Sequence, residues 1–110
     1  MRYTESRIYQ RALELATLSK AVHDGLPAGF AFLSDQLKRA SASVVLNFAE
    51  GSGKRTARDR RRYFDTAKGS AYEVAAVADF AQRFGVIDGK VHGKVQDACD
   101  HIAAMLTRYK

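Results

Sequence analysis

Apolar residues recur along this chain at three- and four-residue steps in four successive stretches, the spacing that lays one stripe along an α-helix. Ile8, Ala12, Leu15, Leu18 and Val22 make the first stripe, with Arg7, Arg11, Glu14 and Lys20 on the rest of the surface. A helix from about Glu5 to Asp24 is predicted, with Thr4 as its N-cap and Asp24-Gly25, then Pro27, as its stop. The second stripe is Phe30, Leu33, Leu37, Ala40, Val44 and Phe48, closed by Gly51-Ser52-Gly53. Thr56, with Asp59 in the following turn, predicts the start of a third helix striped by Phe64, Ala67, Ala71, Val74, Ala78 and Ala81. After a turn at Gly85, the fourth uses Val91, Val95, Ala98, Ile102, Met105 and Tyr109.

Four stripes with connections of about five or six residues predict an all-α protein, an up-down antiparallel four-helix bundle. At 110 residues and 46% hydrophobic content, the chain suffices for one core and falls short of two, so residues 1–110 read as one domain. Gly69 lies off the main stripe of the third helix, on a line with Tyr72, Ala76 and Phe80. A mid-helix glycine costs about 1 kcal/mol against alanine, which predicts that this second line also packs tightly. Val45, Leu46, Phe80 and Phe84 add apolar surface beyond the four seams, and that surplus predicts self-association.

Charge narrows the partners. Eighteen Lys and Arg against twelve Asp and Glu leave +6, a balance that favours polyanions such as RNA, DNA or acidic protein surfaces. No apolar run approaches the roughly 18 residues of a membrane span. The stretch Met1 to Glu14 alternates charged with apolar residues, unlike a signal peptide, so no membrane partner is expected. Cys99 stands alone and can form no internal disulfide, which suits a reducing compartment; a cytoplasmic protein is expected.

The most unusual local feature is Lys54-Arg55-Thr56-Ala57-Arg58-Asp59-Arg60-Arg61-Arg62. Arginines at a helix N-terminus oppose its partial positive charge by roughly 0.3 to 1 kcal/mol each, so their accumulation points to an anionic partner or to local pairing, for example Arg61 with Asp65. Lys54, Arg55, Arg58, Arg60, Arg61 and Arg62 are therefore the candidate nucleic-acid-binding residues, against the alternative of a solvated, partly paired face. Tyr63 and Tyr72 follow them and suit either base stacking or rim packing. Gly51-Ser52-Gly53-Lys54-Arg55-Thr56 fails as a nucleotide-binding phosphate loop, since Phe48 replaces its first glycine and Arg55 the Ser or Thr after the lysine. His23, His92 and His101 are scattered, and His92 and Cys99 would lie about 10 Å apart along a helix, too far for one metal. No catalytic residue, metal or cofactor is expected.

Ser43-Val44-Val45-Leu46-Asn47-Phe48-Ala49-Glu50-Gly51, followed by Gly69-Ser70-Ala71-Tyr72-Glu73, resembles the bacterial four-helix-bundle proteins encoded within 23S rRNA intervening sequences. The resemblance extends to Tyr9-Gln10-Arg11-Ala12, Gln36-Leu37-Lys38-Arg39-Ala40 and the Gly85 turn. It implies a ring-like homopentamer with an RNA- or DNA-associated role. Accessory proteins of diversity-generating retroelements, which serve a reverse transcriptase, look similar. Val44-Val45 stands where relatives usually carry Ile-Pro, which implies a less kinked second helix. Asn47, Glu50, Gly51, Gly69, Ser70 and Glu73 match the family motif as structural residues: Ser70 and Glu73 are expected in a polar network or ion pair reaching Lys38 or Arg39, and Asn47 and Glu50 at a turn or subunit contact.

The reading of the whole is a non-catalytic, oligomeric nucleic-acid-associated scaffold whose segment 54–62 contacts phosphates. The alternative is a protein-interaction or accessory module that docks an enzyme such as a reverse transcriptase.

Overall fold

Apolar stripes that cannot be buried alone are buried against one another, and the computed structural model, which describes residues 2–109, does this with four helices. They are α1 (Arg7–Gly25), α2 (Ala31–Ser52), α3 (Ala57–Arg83) and α4 (Gly89–Arg108), preceded by a short 3₁₀ turn at Tyr3–Glu5. Each helix packs on its neighbours in sequence and α1 closes against α4, giving an antiparallel four-helix bundle 44 Å long and about 20 Å across. Every residue of the second and third stripes is buried except Phe30, which is half-buried. Leu18, Val91, Met105 and Tyr109 sit at the rim of the core.

Helix ends follow local chemistry. Thr56 accepts a hydrogen bond from the Asp59 amide at 3.1 Å and caps α3, as the sequence predicts. At α1 the cap is Ser6, which accepts from the Ile8 amide at 3.1 Å, and not Thr4. Tyr3, Thr4 and Glu5 are coiled into the 3₁₀ turn, so the first residue with extended backbone and a hydroxyl in reach of the helix amides is Ser6. Asp88 caps α4 through the Val91 amide at 2.8 Å. Gly85 closes α3 with φ of 72°, a left-handed conformation that glycine adopts without a Cβ clash. The helix α2 runs unbroken through Val44-Val45.

Gly69 corrects the sequence reading. It is exposed, and a Cβ added there would meet nothing within 4 Å; Tyr72, Ala76 and Phe80 on the same line are exposed too. The second line of α3 therefore faces outward, and no neighbouring helix covers it at Gly69. Periodicity shows which residues share a face, and does not show whether a neighbour lies across from it.

Candidate nucleic-acid interface

An up-down bundle gathers the start of α1, the end of α2, the start of α3 and the end of α4 at one end of the molecule. Segment 54–62 occupies that end, and its six cations are not equivalent there. Arg60 is half-buried, and one of its terminal nitrogens donates to the carbonyls of Lys54 at 3.1 Å and Arg55 at 3.0 Å. It ties the α2–α3 turn to α3. Lys54 reaches back to Glu50 at 3.8 Å and lies 4.9 Å from the centre of the Tyr63 ring, which makes Tyr63 a packed rim residue.

Arg55, Arg58, Arg61 and Arg62 are exposed. Arg62 approaches Asp59 at 3.9 Å; this pairing takes the place of the Arg61–Asp65 pair expected from spacing, which is not made among the described ion pairs. Exposed pairs of this length contribute about 0 to 1 kcal/mol, so they leave the field of the segment largely uncompensated. Arg58 and Arg62 stand four residues apart, on the same exposed line of α3 as Gly69, Glu73 and Ala76, whereas Arg60 and Arg61 turn toward α4. The cations thus wrap the end of the bundle and do not form one flat patch.

The other singled-out residues fall mostly on the α2–α3 seam. Ser43 and Ser70 share a hydrogen bond at 2.7 Å across the two helices, and the Asn47 amide donates to both the hydroxyl and the carbonyl of Ser43 at 2.9 Å. Ser70 thus belongs to a polar network, but its partner is Ser43, not Lys38 or Arg39; Asn47, expected at a turn or subunit contact, joins the same network. Glu73 is exposed and joins no ion pair among the described residues. Gly51 is buried where α2 crosses α3, and the Glu50 carbonyl accepts the Gly53 amide at 3.1 Å in the turn that follows.

The model of the 23S rRNA-intervening sequence protein family matches residues 4–108. The chain belongs to that family. No curated protein matches it.

In this member of the 23S rRNA-intervening sequence family, the basic end holds more cations than segment 54–62. Arg7 and Arg108 flank Tyr109 in a hollow between α1 and α4, and Lys68 donates to the Thr107 hydroxyl at 2.6 Å on the α3–α4 side. These residues are dispersed in sequence, and only the antiparallel topology brings them together.

The opposite end is apolar. Phe80 and Phe84 stack at 4.5 Å with rings 9° apart, and Phe30 and Phe32 pack against them with centroids 6.1 Å apart. Phe84 remains 59% exposed and Phe32 53%.

The histidines and Cys99 are engaged separately. His92 contacts Asp79 at 2.7 Å, and His101 accepts from Arg11 at 3.1 Å. Burial, reinforced by the Asp100 carboxylate, pushes the Cys99 thiol up from 9.0 to about 12, which holds it as an unreactive core group at neutral pH.

Proposed function

We propose that this protein is a non-catalytic, self-associating scaffold that binds nucleic acid through the cationic end of its bundle. Membership of a family named for 23S rRNA intervening sequences favours RNA. The observation that carries the reading is the gathering of Arg55, Arg58, Arg61 and Arg62 with Lys68, Arg7 and Arg108 at one end, opposed by few acidic side chains. Such a surface attracts a phosphate backbone irrespective of sequence.

Self-association is supported by the line through Gly69. A mid-helix glycine with open space around it gains nothing within its own chain, and costs about 1 kcal/mol against alanine. Close approach of a second copy gives it a role, and exposed Leu46, Tyr72 and Phe80 supply apolar area for such a contact. The family resemblance points to a pentamer as the assembly.

The exposed aromatic end favours a second reading, a module that docks a protein partner through Phe32, Phe80 and Phe84. Salt separates the two. Binding of an RNA duplex through phosphates weakens steeply as salt rises, whereas an apolar contact persists. Absence of salt-sensitive RNA binding would leave the docking reading.

A further inference from the structure

Between the start of α3 and the end of α4 lies a cavity of about 400 Å³, a size typical of small-molecule sites. Arg60, Arg61 and Lys68 line it from α3, and Thr107 and Tyr109 from the end of α4, with buried Phe64 beneath. Three cations face the single carboxylate of Asp65, so the cavity suits an anion.

Two of those cations are already positioned. Arg60 is held by the Lys54 and Arg55 carbonyls, and its Nε and second terminal nitrogen remain available to donate. Lys68 is held on Thr107 at 2.6 Å, with its other N–H groups remaining. The Tyr109 ring packs edge-on to Phe64 at 5.2 Å and is half-buried, so it offers a fixed aromatic surface beside the cations.

Positioned cations next to a fixed aromatic ring match the two parts of a nucleotide. We propose that this cavity takes one unpaired nucleotide of an RNA single strand, its phosphate on Arg60 and Lys68 and its base against Tyr109. The inference rests on the nucleic-acid reading above and adds a preference to it. A duplex offers the same phosphates but keeps its bases stacked inside, so the outward Arg58 and Arg62 do not distinguish the two forms, and the cavity does.

The test is fluorescence anisotropy with a mixed-sequence RNA single strand of about 12 nucleotides, a length within known single-strand site sizes, and with the matching duplex. Lys68→Gln and Tyr109→Leu are each expected to weaken single-strand binding by about tenfold, the order of one lost base-stacking or phosphate contact. Tyr109→Leu should leave duplex binding unchanged, and Lys68→Gln, which also removes one cation of the basic end, should weaken duplex binding by a smaller factor. Tyr109 also packs on Phe48, so circular dichroism checks folding, and Lys68→Gln carries the test should Tyr109→Leu unfold. If both variants bind both RNAs as the parent does, or lose both equally, the cavity inference is overturned while the wider phosphate reading stands. If single-strand binding falls in the variants and the duplex never binds, the cavity stands and duplex binding by the outward arginines falls. If neither RNA binds the parent, both fall.

Discussion

Gly51 of α2 lies so close to Phe64 of α3 that a Cβ on the glycine would stand 2.8 Å from the Phe64 ring, and equally 2.8 Å from the Cβ of Tyr63. Helix propensity favours alanine over glycine by about 1 kcal/mol, yet overpacking of a filled seam costs about 1 to 3 kcal/mol. The clash with two neighbours on one rigid helix outweighs the propensity gain. Gly51→Ala is therefore expected to lower stability in urea denaturation, and an unchanged or raised midpoint would show that the seam can open.

Gly69 is the opposite case, open on all sides within the chain. Gly69→Leu should leave the helical content intact and block the close approach of a second copy. Sedimentation is expected to show an assembly for the parent and the 12.2 kDa mass of one chain for the variant. A parent that sediments as one chain at micromolar concentration would contradict self-association.

Arg60 and Arg58 look alike in sequence and should differ in effect. The bonds from Arg60 to the Lys54 and Arg55 carbonyls are charge-assisted, so Arg60→Ala should cost roughly 1 to 2 kcal/mol. Arg58 is exposed, and Arg58→Ala should stay within about 0.5 kcal/mol of the parent. Chemical denaturation of the two variants side by side checks the contrast.

Cys99 reports on the core. Its folded pKa is raised, from 9.0 to about 12, so the folded chain holds that proton more tightly than the unfolded chain does. The contribution to stability is complete below the unfolded thiol's value and is lost as pH rises from 9.0 toward about 12. Near pH 8, about the ordinary thiol range, a thiol-reactive disulfide reagent should label Cys99 only upon unfolding. Rapid labelling of the folded protein would mean that α4 opens locally.

The bundle was legible because its stripes are long and regular: Phe64 through Ala81 on α3 marks a buried face with no help from elsewhere. Thr56 was legible as a cap for the same local reason. The Ser6 cap was not, because Thr4 offers the same hydroxyl and only the 3₁₀ turn removes it from the helix end. The tie made by Arg60 depends on where two turn carbonyls point, and the cavity depends on α4 ending beside the start of α3; neither leaves a trace in residue spacing. The exposed line through Gly69 was misread because a small-residue line is the same pattern whether its neighbour belongs to the same chain or to none.

The central claim, phosphate contact by the cationic end, is tested most directly by measuring RNA-duplex affinity across a salt titration for the parent and for a variant with Arg58, Arg61 and Arg62 all changed to Glu. These side chains are exposed at the first turns of α3, where acids suit the helix dipole, so the variant should fold at least as well as the parent. Affinity should fall and the salt dependence should flatten by about one unit of logarithmic slope per lost contact. Equal affinity and equal slope for the two proteins would contradict the account and leave these arginines a solvated face.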